Sequence, residues 1–161
     1  MVNKLIYVHG LGSSPTTFKA SFLRERFPEL ITPQFSGILD SDLALIHTII
    51  GDTQGWILIG SSYGGLVAAI YTLLHPSSIK KLVLLAPTLK SEIYRHLEIN
   101  HASYPIAVPT IVYHGIRDGL PIPPMESRAR NLFADIQYNI VDDDHGLKAT
   151  MQRVDWKVVL E

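Results

Sequence analysis

Three stretches of this chain carry residues of the types and spacing needed to attack a carbonyl. The first is Gly60-Ser61-Ser62-Tyr63-Gly64-Gly65, a G-x-S-x-G pattern set between a continuous apolar run and a helical pattern. So tight a strand-to-helix turn leaves no room for side chains two positions either side of Ser62, and it strains the serine so that its hydroxyl projects. The second is Asp118, which closes Tyr113-His114-Gly115-Ile116-Arg117-Asp118 just beyond the end of another apolar run. The third is His145, in Asp142-Asp143-Asp144-His145-Gly146, the only histidine that follows Asp118. A serine hydroxyl is a weak nucleophile until a base takes its proton, and a histidine oriented by a carboxylate is the usual base. Plainer readings stand beside this one. Ser61 or Ser62 can simply cap a buried helix, the Asp142–Asp144 run can be a solvated turn, and Asp142 or Glu126 can be the orienting acid instead of Asp118.

Such chemistry also needs donors for the oxyanion. In Val8-His9-Gly10-Leu11-Gly12-Ser13-Ser14-Pro15 the glycines let the chain turn back over the end of a strand. The backbone N–H groups of Leu11 and Tyr63 are therefore the expected oxyanion donors. A dinucleotide loop is the rival reading of Gly10-Leu11-Gly12. It fails because Pro15 occupies the third glycine position and Thr32-Pro33-Gln34-Phe35-Ser36 supplies no acid where a ribose would need one. No Gly-Lys-Ser/Thr occurs, so a Walker loop is absent. His9 and His114 each precede a glycine at the end of an apolar run and read as structural hydrogen-bonding residues, while His47 and His75 read as surface or packing positions. No paired histidine spacing points to a metal site, and none is expected.

The elements that must position these groups follow from hydrophobic period. Six short apolar runs read as strands: Leu5 to Val8, Ile31 to Phe35, Trp56 to Ile59, Leu82 to Ala86, Thr110 to His114 and Ile136 to Val141. Between them lie helical patterns. Phe18, Phe22 and Phe27 predict one apolar face, Leu39, Leu43, Ile46 and Ile50 a second, and Gly64 to Leu74 is apolar nearly all round. Shorter helices are expected near Ser91 to Ile99 and Pro124 to Phe133, and Leu147, Met151, Val154 and Val158 predict one final helix. Alternating strand and helix predicts a single α/β domain over residues 1–161, a mostly parallel sheet of about six strands with helices on both faces.

Composition narrows the class further. The 161 residues are 47% hydrophobic and 18% charged, enough to bury a core without staples, and there is no cysteine for a disulfide, a thiolate metal site or a thiol nucleophile. A formal charge of -1 leaves no electrostatic footprint for nucleic acid or anionic lipid. The apolar run before His9 is too short for a secretory signal or a membrane span, so the expected compartment is the cytoplasm and the expected partner a small molecule.

The order Ser, Asp, His, with each member past the end of a successive apolar run, resembles that of the α/β-hydrolases. More narrowly, the chain resembles the short bacterial esterases of the YqiA type. The shared features are Tyr7-Val8-His9-Gly10, Ser13-Ser14-Pro15, Lys19-Ala20-Ser21, Pro33-Gln34, the elbow around Ser62 and the Asp-then-His carboxyl half. The resemblance implies hydrolysis of carboxylic esters or thioesters without a cofactor, with Ser62, Asp118 and His145 matching the family's triad. The chain departs from larger members in lacking an opening antiparallel hairpin and in having room for only a short lid, over about 88–108. With so little cover, Leu120, Ile122, Leu147 and Tyr94, beside Leu11 and Tyr63, are expected to line a shallow substrate groove. A protein that binds a small ligand in the same pocket without turning it over is the alternative function.

Overall fold

The computed structural model describes residues 3–161; the first two residues of the expected domain lie outside the described residues. Five strands, β1 (Lys4–Val8), β2 (Trp56–Ser61), β3 (Ile79–Leu85), β4 (Thr110–Gly115) and β5 (Ile136–Val141), form one sheet in sequential order. Every neighbouring pair is parallel. Each connection must then return the chain across a face of the sheet, which helices do: α1 (Phe18–Arg26) and α2 (Leu39–Ile50) between β1 and β2, α3 (Tyr63–Leu74) between β2 and β3, α4 (Ile93–Ile99) between β3 and β4, and α5 (Ile122–Leu132) between β4 and β5, while α6 (Lys148–Arg153) and α7 (Trp156–Val159) follow β5.

The two-residue period of the strands divides the core. Ile6, Val8, Leu58, Leu82, Leu84 and Val112 face one side, where α2, α3, α4 and α5 cover them. Their alternates Leu5, Tyr7, Ile57, Ile59, Val83 and Leu85 face the other, under α1, α6 and α7. Helix α3 is buried from Gly64 to Leu73, which is why its sequence is apolar nearly all round.

Three expectations change in detail. The Ile31–Phe35 run contributes only a bridge between Ile31 and Ile6, with Tyr7 N–H donating to Ile31 O and Ile31 N–H to Leu5 O, both at 2.9 Å. The next rung of a parallel ladder would need the N–H of residue 33, which is a proline, so pairing stops there. Helix α1 buries Ala20 and Leu23, with Phe27 following, and leaves Phe18 exposed. Phe22 is half-buried against this core, with the Arg26 guanidinium 3.5 Å from its ring centroid, and both aromatic rings have cations as partners. The expected final helix is two, α6 and α7. Asp155 breaks it by accepting the Val158 N–H, and Trp156 and Leu160 are buried in place of the exposed Val158.

Among the described residues, no helix is long and apolar enough to cross a membrane.

Candidate active site

Glycine geometry makes the turn between β2 and α3. Ser62 sits at φ 56°, ψ -118°, a backbone conformation that L side chains rarely adopt. A Cβ on Gly60 would lie 2.8 Å from the Ala68 Cβ, and one on Gly64 would run into the Val8 and His9 carbonyls, so both positions have room for glycine alone. The strained residue is held on two sides: Ser62 N–H donates to Leu85 O at 3.0 Å, and Thr88 N–H donates to Ser62 O at 3.1 Å.

The ends of β4 and β5 bring the other two groups to the same place. The His145 ring donates from Nδ1 to Asp118 Oδ2 at 2.8 Å, and its Nε2 is 3.1 Å from Ser62 Oγ, so the serine hydroxyl is the donor on that side. The Asp118 carboxylate is 1% exposed, whereas the imidazole is 47% exposed, which leaves one face of the ring open to a reactant. Asp118 Oδ1 accepts the Leu120 N–H at 3.0 Å, which fixes the carboxylate's orientation. The two loops are clamped together: Arg117 N–H donates to Asp143 O, the Arg117 guanidinium pairs with Asp142, and a Cβ on Gly115 would stand 2.6 Å from Asp144 O. Asp142 is thus engaged on the surface, away from His145. Glu126, the other alternative acid, pairs with Arg130 on α5.

A second histidine, this one buried, lies behind the carboxylate. Tyr138 O–H donates to His114 Nδ1 at 2.6 Å, and His114 Nε2–H donates to Leu120 O at 3.2 Å, 3.8 Å from Asp118 Oδ2. Burial holds the His114 pKa below its ordinary value despite the pull of Asp118, which favours the neutral ring.

The loop after β1 packs against the serine, since a Cβ on Gly10 would touch Ser62 Cβ at 3.5 Å. His9 shapes it: Phe35 N–H donates to its Nε2 at 2.9 Å, which leaves Nδ1–H to donate to Gly10 O at 2.9 Å. The backbone N–H groups of Leu11 and Tyr63 donate to no acceptor among the described residues. Tyr63 is tied at its other end, where its hydroxyl donates to Asp42 Oδ2 at 3.2 Å. Asp42 is 1% exposed and also accepts the Ser36 N–H, the Ser36 hydroxyl and the Gly37 N–H. Burial and the adjacent Asp42 carboxylate push the Tyr63 phenol pKa up, so it stays a donor. The sequence signal for Asp42 is an acid inside the apolar stripe of Leu39, Leu43 and Ile46.

A cavity of about 460 Å³ opens over Ser62, walled by Leu11, Thr17, Phe18, Lys19, Gly146 and Lys148. It therefore lies toward α1 and the His145 loop. Of the expected groove residues Leu11 lines it, while Leu120, Ile122, Leu147 and Tyr94 lie elsewhere. Leu147 is fully buried in the core beneath α6, and Leu120 packs against the opposite core while its backbone holds Asp118. Ile122 begins α5, and the Tyr94 hydroxyl accepts a hydrogen bond from Asn131 at 2.9 Å. Nor does the 88–108 segment wall this cavity: Leu89, Ile93, Leu97, Ile106 and Val108 pack into the core on the α3 side. Thr88 holds Ser62 O at the start of this segment, and beyond it α4 packs the chain on the α3 side, so that neither the segment nor Leu120, Ile122, Leu147 and Tyr94 line this cavity.

The model of the family described as alpha/beta hydrolase fold matches residues 9–108, from the loop after β1 through the elbow. The chain belongs to this family. The family's architecture recurs in solved structures that cover nearly the whole chain. Mouse alpha/beta hydrolase domain-containing protein 10 is 18% identical with a TM-score of 0.75, covering 97% of this chain and 88% of its own. An esterase from a marine microorganism is 15% identical with a TM-score of 0.72, covering 99% and 93%. Est1E from Butyrivibrio proteoclasticus, solved with ferulic acid bound, is 14% identical with a TM-score of 0.73, covering 98% and 88%. At these identities the likeness is one of fold. No curated protein matches the sequence.

Proposed function

We propose that this α/β-hydrolase is a serine hydrolase that cleaves carboxylic ester or thioester bonds of small substrates through Ser62, His145 and Asp118. The observation that carries the reading is the unbroken hydrogen-bond chain from Ser62 Oγ through both nitrogens of His145 to a buried carboxylate, at the floor of an open cavity. As Ser62 Oγ attacks the carbonyl carbon, His145 Nε2 takes its proton. Asp118 holds the Nδ1–H tautomer and stabilises the imidazolium. The carbonyl oxygen, now anionic, receives the uncommitted N–H groups of Leu11 and Tyr63. Collapse breaks the bond to the alkoxide or thiolate, which takes the proton from Nε2. Water then attacks the acyl-enzyme, losing its proton to the same nitrogen, and the acid and free Ser62 are released. The reaction balances with water alone and calls for no cofactor.

Structural neighbours named as esterases agree with this reading without deciding it. The test is Ser62→Ala. The hydroxyl is small and no packing depends on it, so the variant should fold as the wild type does and lose hydrolysis of p-nitrophenyl butyrate. Activity near the wild-type level in protein free of contaminating esterase would refute the assignment and favour the ligand-binding alternative.

A further inference from the structure

The walls of the Ser62 cavity carry two ammonium groups, Lys19 in the first turn of α1 and Lys148 at the start of α6, and among the described residues no carboxylate lines the cavity with them. Lys19 is half-buried, and among the described residues no acidic oxygen lies within 4.0 Å of it and no acceptor takes its protons. The carboxylates that face it are already engaged. Asp118 accepts from His145 and Leu120, Asp143 from Thr150 and the Asp144 N–H, and Asp144 from the Gly146 N–H. Lysines elsewhere in the chain that lean on the protein do find acceptors: Lys4 donates to Gln54 O at 2.9 Å and Lys81 to Val159 O at 2.7 Å. Burial pulls the Lys19 pKa down, while Asp144, Asp143 and Asp118 pull it up without pairing with it. A partly desolvated ammonium without a partner is unfavourable unless something completes it. Lys148 holds its ammonium 5.3 Å from the centroid of the Phe18 ring, on the rim of the same cavity.

The direction of the chemistry says which part of a substrate meets these cations. His145 Nε2 must hand its proton to the departing atom, so the leaving group lies along the His145 wall, which continues through Gly146 to Lys148. We propose that the natural substrate carries an anionic group, a carboxylate or a phosphate, on its leaving alcohol or thiol, held by Lys19 with Lys148 at the rim. This deepens the serine-hydrolase reading and rests on it.

Three acetate esters with leaving groups of similar size test it: 4-acetoxybenzamide, 4-acetoxybenzoate and 4-acetoxyphenyl phosphate. Intrinsic reactivity cancels when each is compared between wild type and variant. Lys19→Gln should lower the ratio of kcat/KM for the anionic over the neutral ester by about tenfold, the scale of one lost hydrogen bond to a charged group. Lys148→Gln, at an exposed site, should lower it by about threefold. Lys19→Arg should restore part of the ratio, and salt should erode it in the wild type. The anion that loses more identifies the class. Equal losses for charged and neutral esters would make Lys19 structural and overturn the proposal. A Lys19 dependence seen only when the acyl half is charged, in mono-p-nitrophenyl glutarate against p-nitrophenyl butyrate, would overturn its placement on the leaving group. Fluorophosphonate labelling keeps the two readings apart. A labelled Ser62 whose labelling 4-hydroxybenzoate slows no more than 4-hydroxybenzamide does sinks the anion site alone, whereas absence of any Ser62 adduct sinks the hydrolase reading beneath it.

Discussion

The two sides of the Ser62 cavity are built to different tolerances. On the inner side, Gly60 and Gly64 admit no Cβ, Asp118 is almost fully buried, and among the described residues no buried side-chain polar atom lacks a partner. On the outer side, Leu11 is 68% exposed, Phe18 rests under a lysine and Lys19 has no partner among the described residues. The contrast separates two jobs. On the proposed reading, positioning of reacting atoms is enforced by close contact and by strain the surroundings hold in place, whereas contact with a substrate is left to groups whose partners come from outside.

The largest effect that can break this division lies at the acid. Asp118→Asn keeps the shape but removes the charge that favours the imidazolium, and kcat for a p-nitrophenyl ester should fall by up to about 10⁴. Asp142→Asn, at the surface with Arg117, should change it by less than about threefold. The reverse ranking would move the orienting acid to the loop before His145.

At the elbow, Gly64→Ala drives a methyl group into the Val8 and His9 carbonyls and should destabilise the fold by about 3 kcal/mol or more in urea unfolding. Gly119→Ala, one residue past Asp118, meets nothing within 4 Å and should stay within about 0.5 kcal/mol. Equal values would mean that the inner side is not close-packed.

Asp143 gives the comparison a pH axis. Burial raises its pKa, but the Thr150 N–H and hydroxyl, the Asp144 N–H and nearby Arg117 outweigh that and hold it below its ordinary value. A folded-state pKa below the unfolded one contributes stability that is present above the unfolded value, about 4, and is lost as pH falls through the folded value. Asp143→Asn should therefore cost about 2 kcal/mol at pH 7. The gap from wild type should narrow in unfolding curves taken progressively below pH 4, and a gap that does not change with pH would remove the carboxylate's charge from the account. The smallest effect belongs to the outer wall. Leu11→Ala should leave stability within about 0.5 kcal/mol and lower kcat/KM for p-nitrophenyl butyrate about threefold, roughly one or two methylenes' worth of contact.

What could be read from the sequence follows the same division. The elbow was legible because its geometry is local: a glycine two residues either side of a serine, between an apolar run and an apolar helix. The strands were legible because a parallel sheet buries both faces, and only the run containing Pro33 misled, where a missing N–H ends the ladder after Ile31. Helix α1 was oriented by its phenylalanines, yet Ala20 and Leu23 go inward, because burial at that spacing is decided by the facing sheet and not by ring size. The cavity wall was not legible at all. Lys19 and Lys148 are far apart in sequence, and only the packing of α1 against the end of the chain brings both beside Ser62.

The central question is whether Ser62 is the activated nucleophile. Treating the folded protein with a fluorophosphonate and mapping the adduct by peptide mass spectrometry answers this in one measurement. A single adduct on Ser62, formed at least about a hundredfold more slowly once His145→Ala removes the base, is the predicted result. An adduct on another serine, or none in folded protein, would contradict it.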